Sequence, residues 1–200
     1  MMILLIRHGE SEADLLNVHE GRADFELTPR GHEQAKAMAE YVKHHYTIDR
    51  IYASPLKRAA QTAGHLSDVL GKPICFDEDL MEFNNGLLAG LPYEEAAIKY
   101  PRVKDLPIDQ AVYGQESMLA FRERAEKALE RICRECSDQD TAAVITHGGM
   151  IDQLFGAALK IPVGSAFHFC SGDTGIHVWE IRNDKIRIIQ TNLTRHAEGI

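Results

Sequence analysis

Residues 2–11 read MILLIRHGES, an unbroken apolar run that leads directly into an arginine, a histidine and a glycine. An apolar run of this length predicts a strand that is covered on both faces of a sheet. Because ligand sites in open α/β sheets lie just beyond the carboxyl ends of such strands, we expect His8 to be a nucleophile at that edge. Gly9 permits a sharp backbone bend, and Arg7 offers a permanent cation with planar donors suited to phosphate. A strand that ends in a plain polar turn is the alternative.

The composition limits the classes of function. The chain has 200 residues and a formal net charge of -8. This length predicts a single domain over residues 1–200, with a core that needs no disulfide or metal. The negative charge argues against nucleic acid and anionic membranes as partners. The apolar run near the N-terminus is too short to span a bilayer and follows no basic segment, so we expect a cytoplasmic protein. The sequence leaves the oligomeric state open.

The four cysteines lack the spacing of a disulfide or metal framework. Cys133 and Cys136 form a C-x-x-C pair, but this pair lies within a helical pattern, and no second pair completes a zinc site. Scattered cysteines suit a reducing compartment. We therefore expect no metal site.

Strand and helix patterns alternate along the chain. Thr28-Pro29 and Ser54-Pro55 each read as an N-cap followed by proline at the first helical position. The predicted strands are 2–6, 50–53, 73–76, 141–146, 176–181 and 186–191, and the predicted long helices are 29–45, 55–70, 117–136 and 150–159. This alternation predicts an α/β fold, a three-layer sandwich with a mostly parallel central sheet and helices on both faces.

Two segments complete this organisation. Asn183-Asp184 predicts the turn of a terminal hairpin, which would add an antiparallel edge to the sheet. Residues 77–115 form a loop-rich excursion that glycines and prolines interrupt, with one short helix near 93–100. A long excursion of this kind is usually functional or mobile, so we expect it to shape the substrate pocket.

Three predicted strand-to-helix junctions carry groups that suit one phosphate. Arg7 and His8 follow the first strand, and His147 follows the strand 141–146. Arg58 lies one turn into the predicted helix 55–70, which follows the strand 50–53. If these strands are parallel, all three junctions open at one sheet edge, where helix N-termini favour anions. Taken singly, Arg58 reads as a solvated helix residue and His147 as a capping histidine of a loop.

Taken together, these residues resemble the motifs of the histidine phosphatase superfamily, which includes the cofactor-dependent phosphoglycerate mutases. The match covers most of the chain, and the order and spacing of its pieces are far more specific than any one piece. The matching pieces are LIRHGES at 5–11, Gly21 with Asp24, LTP at 27–29 with Gly31 and Gln34-Ala35, YASPLKRA at 52–59 with Gln61-Thr62, Glu82, and THGG at 146–149. The resemblance implies the phosphoglycerate mutase-like fold.

The resemblance also implies a role for each matching residue. His8 corresponds to a nucleophile that becomes phosphohistidine, and Glu82 corresponds to the acid that protonates the leaving oxygen. Arg7, Arg58 and His147 correspond to residues that hold the phosphate and stabilise the transferring group. Further candidates for contacts with the phosphate or substrate are Ser11, Asp14, Asn17, Gly21 and Gly148. This scheme is that of an acid-type phosphatase that needs neither a metal nor a cofactor.

Asp14 departs from the family pattern, in which many members place a phosphate-contacting asparagine six residues after the nucleophile. An ionised carboxylate facing a phosphate is repelled. We therefore expect Asp14 to turn away, to pair with a cation such as Arg22, or to meet a hydroxyl or amine of the substrate. Asn17 is an alternative source of the missing amide.

Two features favour hydrolysis over isomerisation. The segment between Glu82 and His147 is shorter than in the mutases, which implies an open pocket that admits water to phosphohistidine. Val18 stands where mutase relatives carry arginine. We therefore expect a phosphomonoester hydrolase acting on small phosphorylated metabolites, with a phosphoglycerate mutase or a non-catalytic phosphate-binding regulatory protein as the alternatives.

The excursion also carries an apolar group of residues. They predict either a wall for an aryl or alkyl leaving group or simple packing of the loop onto the core. The group comprises Leu87, Leu88, Leu91 and Tyr93.

Overall fold

A computed structural model describes residues 1–183 and 185–200. Its strands are β1 (Met2–Arg7), β2 (Arg50–Ala53), β3 (Ile74–Phe76), β4 (Thr141–Thr146), β5 (Ile176–Arg182) and β6 (Lys185–Leu193). Its α-helices are α1 (Glu12–Leu16), α2 (Pro29–His45), α3 (Lys57–Leu70), α4 (Tyr93–Lys99), α5 (Met118–Glu135) and α6 (Gly148–Ala158). The strands form one sheet in the order β3-β2-β4-β1-β5-β6. The α/β prediction is confirmed.

The unbroken apolar run of β1 reflects burial on both faces of the sheet. Ile3 and Leu5 belong to a core cluster with residues of α5 and α6. Leu4 and Ile6 belong to a second cluster, with residues of α2 and α3. Each such side chain contributes about 1.5–3 kcal/mol when it is buried. Since both faces are anchored, the carboxyl end of β1 is held in a fixed place.

Three strand ends meet at one edge of the sheet, as the junction pattern predicts. β4 pairs in parallel with β1 on one side and with β2 on the other. Thr146 lies opposite Arg7, and Ile145 lies opposite Ala53. The segments that follow these three strands, and that carry His8, Arg58 and His147, therefore start side by side.

The terminal hairpin forms the predicted antiparallel edge. β5 runs antiparallel to β1, and β6 runs antiparallel to β5. The predicted turn at Asn183-Asp184 falls partly outside the described residues, since Asp184 is not among them. Within the ranges described, no helix is both long and apolar enough to cross a membrane.

The two cap-plus-proline predictions have different outcomes. Thr28 caps α2 as predicted, since its Oγ1 accepts from the Gly31 N–H at 2.9 Å. The Ser54 prediction is wrong, because α3 begins only at Lys57. Ser54 Oγ instead accepts from the Leu56 N–H at 3.3 Å, which closes a turn ahead of the helix. Arg58 consequently lies in the first turn of α3.

Two other helix boundaries differ from the prediction. α6 begins at Gly148 rather than at Met150, because the N–H of Gly149 is satisfied by a carboxylate from another segment, Glu82, at 2.9 Å. α1 was not predicted. It is a short helix of five residues whose N-cap residue Ser11 donates its N–H to Asp14 Oδ2 at 2.8 Å.

Gly9 is required for close packing rather than for a sharp bend. Its φ lies outside the left-handed region, but a Cβ at this position would lie 2.6 Å from the carbonyl oxygen of Gly31. Its N–H donates to Thr62 Oγ1 at 3.2 Å. The loop after β1 is thereby pressed against the start of α2.

We expect Gly9→Ala to lower the free energy of unfolding by about 1–3 kcal/mol, because two backbone segments have to separate to admit the methyl group. Gly64→Ala is the matched control. Gly64 lies within α3, and a methyl group added there would have no neighbouring atom within 4 Å, so this change should stabilise the helix by about 0.5–1 kcal/mol. Urea unfolding of both variants measures the two effects. Equal effects would contradict the packing explanation.

Candidate active site

His8 is buried, and its contacts define its tautomer. Nδ1 lies 2.8 Å from the carbonyl oxygen of Gly9, which can only accept, so Nδ1 carries the proton. Arg58 Nε donates to His8 Nε2 at 3.3 Å. Burial, and then the charges of Arg58 and Arg7, hold the pKa of His8 well below its ordinary value. His8 is therefore a neutral imidazole with a lone pair on Nε2.

Arg58 is fully buried, and backbone carbonyls hold its guanidinium. Nη1 donates to Ala23 O at 3.0 Å, and Nη2 donates to Gly21 O at 2.8 Å. Gly21 has a φ of 49°, and a Cβ there would meet the side chain of Asn85 at 2.6 Å. Gly21, a predicted phosphate ligand, thus supports Arg58 through its carbonyl.

His147 adds a second buried imidazole, with its ring centroid 5.1 Å from that of His8. Its Nε2 lies 2.8 Å from Ser54 Oγ. When that hydroxyl, which accepts from the Leu56 N–H, donates its own proton to Nε2, the histidine proton lies on Nδ1. Nδ1 has no hydrogen-bond partner among the described residues. The pKa of His147 is lowered mainly by burial, so the ring is neutral. Its Nδ1–H is then a donor that can bind a ligand.

Arg7 reaches the same edge and is shared between acceptors. Nη1 donates to Ser171 O at 2.8 Å and lies 3.4 Å from Asp173 Oδ1. Nη2 lies 4.0 Å from Asp14 Oδ1. Three expectations were given for Asp14, and the structure agrees with the one in which it pairs with a cation. That cation is Arg7 and not Arg22. Desolvation is the main cause that raises the pKa of Asp173.

Glu20 belongs to the site although it was not predicted from the sequence. Its Oε1 lies 3.2 Å from Arg58 Nε, and its Oε2 lies 3.7 Å from His8 Nε2. Ser11 Oγ lies within hydrogen-bond distance of Oε1. Only 19% of the Glu20 side chain is exposed, and burial raises its pKa against the opposing effect of Arg58. Its one sequence signal is its position directly before Gly21.

Glu82 is held at the first turn of α6. Its Oε1 accepts from the Phe83 N–H at 2.8 Å, and its Oε2 accepts from the Gly149 N–H at 2.9 Å. A Cβ at position 149 would overlap this carboxylate, so a larger residue there would displace Glu82 from its present place. The carboxyl group is thereby bound to the N–H of the residue two positions after His147.

Arg124 of α5 organises the segment that carries Glu82. Its guanidinium donates at 2.6 to 2.9 Å to three carbonyl oxygens, those of Asp79, Met81 and Glu82. It also donates to both carboxylate oxygens of Glu116, at 2.7 and 3.1 Å. This pair was not predicted from the sequence, although an arginine on the buried face of an amphipathic helix is a signal for one.

The remaining candidates have different outcomes. Gly148 lies beside Arg7: a Cβ built on Gly148 would be 3.9 Å from the arginine side chain. Asn17 is exposed, ends α1 with a φ of 53° and accepts the Tyr93 N–H on its carbonyl at 3.3 Å. Within the described part of the chain, no hydrogen bond joins the Asn17 side chain to His8.

A cavity of about 730 Å³ lies beside this site, beneath the excursion. His19 and Glu116 connect the two, since His19 precedes Glu20 and Glu116 binds Arg124. The wall includes Phe83, Leu88, Tyr93, Tyr100, Val112 and Met118. Two of the four predicted wall residues therefore line the cavity, and the other two, Leu87 and Leu91, do not. Within residues 1–183 and 185–200 no group of three or more His, Cys, Asp or Glu is placed to hold a metal ion.

The chain is similar to known proteins in both sequence and fold. The sequence model of the histidine phosphatase superfamily (branch 1) matches residues 3–194. Phosphoserine phosphatase 1 of Hydrogenobacter thermophilus is 27% identical over 198 residues, which cover 97% of this chain and 93% of that protein. The structure of phosphoserine phosphatase from Entamoeba histolytica in complex with 3-phosphoglyceric acid superposes with a TM-score of 0.80, at 29% identity over 98% of both chains. Bacillus stearothermophilus YhfR shares the fold, with a TM-score of 0.86 at 23% identity over 98% of this chain and 99% of that one.

We expect Arg124→Met to lower the free energy of unfolding by about 3–5 kcal/mol, because it removes five partly buried hydrogen bonds and leaves the largely buried Glu116 with Arg22, 3.9 Å away, as its remaining cation partner. Arg131→Met is the matched control on the same helix. Arg131 pairs with Asp77 and Asp79, but its side chain is 34% exposed against 11% for Arg124, so its loss should cost less than about 1 kcal/mol. Urea unfolding compares the two variants. Similar losses would contradict the special role of Arg124.

Proposed function

The chain belongs to branch 1 of the histidine phosphatase superfamily, and from this premise we propose that it hydrolyses phosphomonoesters through a covalent phosphohistidine at His8. The neutral, buried imidazole of His8 carries the proposal. Its Nε2 lone pair faces the Arg58 guanidinium, with the His147 ring beside it. A lone pair that cations surround is suited to attack an electrophile that brings its own negative charge.

The reaction proceeds in two displacements. His8 Nε2 attacks phosphorus, and the bond to the leaving oxygen breaks with its electron pair on that oxygen, which takes a proton from the Glu82 carboxyl group. Water then attacks the phosphohistidine and passes a proton to Glu82 as the phosphorus–nitrogen bond breaks. The electron pair returns to Nε2, and an alcohol and inorganic phosphate are the products.

Positive groups at the sheet edge stabilise the transferring phosphoryl group. Arg7 and Arg58 supply charge, and the Nδ1–H of His147 supplies a donor that is otherwise unused among the described residues. The first turn of α6 contributes partial positive charge. Because these groups are preorganised in a buried site, they act without reorganising as charge develops. The scheme needs no metal ion.

The substrate is a small phosphorylated molecule, and relatives named phosphatases support hydrolysis over isomerisation. We propose that the cavity under the excursion, residues 77–115, receives the leaving group. Its size falls in the usual range for small-molecule pockets, and its aromatic and aliphatic wall favours a leaving group with an apolar part. We further propose that residues 1–200 act as one domain in the cytoplasm, which four free thiols favour.

We expect His8→Ala to lower kcat for p-nitrophenyl phosphate by at least about 1,000-fold and to abolish the acid-labile phosphoenzyme, because no other group can form the covalent bond. His44→Ala, at an exposed position of α2, should leave both unchanged. Rapid-quench labelling and steady-state hydrolysis measure the effects. Full activity of His8→Ala would contradict the mechanism, and phosphoglycerate isomerisation faster than hydrolysis in the unaltered protein would favour a mutase.

We expect Glu82→Gln to lower kcat by about 100- to 10,000-fold for alkyl phosphates, whose leaving oxygen needs a proton. The loss in the first step should be much smaller for p-nitrophenyl phosphate, because nitrophenolate leaves unprotonated. Glu94→Gln, on the exposed face of α4, is the control. Single-turnover rates with both substrates give the comparison. Equal losses for the two would remove Glu82 from the role of general acid.

A further inference from the structure

The Glu20 carboxylate lies where a transferred phosphate has to bind. A phosphorus atom attacked by His8 Nε2 approaches to about 3–3.5 Å. Glu20 Oε2 is 3.7 Å from that nitrogen, and Oε1 lies 3.2 Å from Arg58 Nε. The Arg58 guanidinium and the Ser11 hydroxyl would serve the oxygens of a tetrahedral anion. A carboxylate and a phosphate dianion at this place would repel each other.

The backbone around Glu20 is held on both sides, which limits its movement away from the site. The N–H of His19 donates to Leu91 O at 2.9 Å, and the Gly90 N–H donates to His19 O at 2.7 Å. The carbonyl of Glu20 accepts the Ala23 N–H at 2.8 Å. Because these bonds hold the chain on either side of Glu20, only a rotation of its own side chain can take the carboxyl group away from whatever binds His8.

The hydrogen bonds of Ser11 indicate that this cluster accommodates a proton. Ser11 Oγ lies within hydrogen-bond distance of Glu20 Oε1 and, at 3.1 Å, of Asp14 Oδ2. A hydroxyl has one proton, so it can donate to only one of these carboxylates. Both contacts are satisfied together when one of the two carboxyl groups is protonated. With the proton on Glu20, its carboxyl group donates to Ser11, which in turn donates to Asp14.

We propose that Glu20 is a specificity-determining residue that lets the site bind a phosphate group only together with one proton, shared between its carboxyl group and a phosphate oxygen. The inference rests on the proposed phosphate site at His8. A phosphomonoester monoanion brings this proton with it, and a dianion takes one up from water. Since the second pKa of a phosphate ester is about 6, both forms are present near neutrality. The shared proton turns a repulsive pair of oxygens into a hydrogen bond, as in pairs of catalytic carboxylates.

The charges that face Glu20 come from several elements. Arg58 of α3 and Arg7 of β1 favour its ionised form, whereas Asp14 of α1 opposes it. Burial has the largest effect and raises the pKa of Glu20. His8, which also faces it, is neutral. The group is therefore suited to change its protonation state when an anion binds.

Sulfate is the probe that isolates this effect, because it is a tetrahedral dianion that holds no proton between about pH 5 and pH 9. Its inhibition constant against p-nitrophenyl phosphate hydrolysis is measured across this range. In the unaltered protein, we expect inhibition to weaken about tenfold for each pH unit above the pKa of Glu20. Calorimetry in buffers of different ionisation enthalpy should show uptake of about one proton per sulfate above that pKa.

Glu20→Gln supplies an amide that cannot ionise. We expect the sulfate inhibition constant of this variant to lack the pH dependence that the ionisation of Glu20 causes. At about pH 9 it should be at least about tenfold lower than that of the unaltered protein. Glu26→Gln is the matched control, since Glu26 lies on the same loop but pairs with Lys57 at the surface. It should keep the unaltered pH dependence.

The outcomes separate this inference from the proposed function. In one outcome, sulfate competes with substrate, its inhibition constant does not change with pH, and no proton is taken up. The ionised Glu20 carboxylate then moves out of the site when sulfate binds, so the inference is wrong while the proposed function stands. If sulfate fails to compete at every pH, the phosphate site at His8 is itself wrong, and the inference fails with it. Calorimetry on the unaltered protein gives this answer even if Glu20→Gln does not fold.

Discussion

The burial of a guanidinium next to a histidine lone pair is the interaction on which the site depends. Arg58 has no access to solvent, so its donors have to be satisfied by protein groups, and the loop after α1 folds over it to supply two carbonyls and a carboxylate. Burial is the main cause that keeps His8 neutral, and the charge of the same cation acts in the same direction. One buried charge thereby shapes a loop and reinforces the protonation state of the candidate nucleophile.

A second buried arginine supports the opposite side of the site. Arg124 ties the segment 79–82 to α5, and Glu82 then closes onto the first turn of α6. The sheet holds these parts in register, because β1 and β4 are neighbours whose ends carry His8 and His147. The proposed nucleophile, anion donors and proton donor are thus positioned by separate elements that share one sheet edge.

The site is more acidic than a phosphate-binding site requires. Asp14 and Asp173 contact Arg7, and Glu20 contacts Arg58, so each cation is already paired before an anion arrives. An incoming phosphate therefore competes with carboxylates for both arginines. This competition favours substrates that reduce the negative charge at the site by bringing a proton, and it distinguishes this chain from a site built only of cations.

The sequence by itself determined the α/β fold, the strand that ends at His8 and the junctions that carry Arg58 and His147, because apolar runs, caps and motif spacing are local patterns. It also marked Glu82, through family resemblance alone. Only the tertiary structure decided that Glu20 enters the site and that Arg124 holds the segment before Glu82. Both depend on which loops meet over the sheet edge, and the sequence does not show which distant carbonyl or carboxylate a buried side chain will pair with.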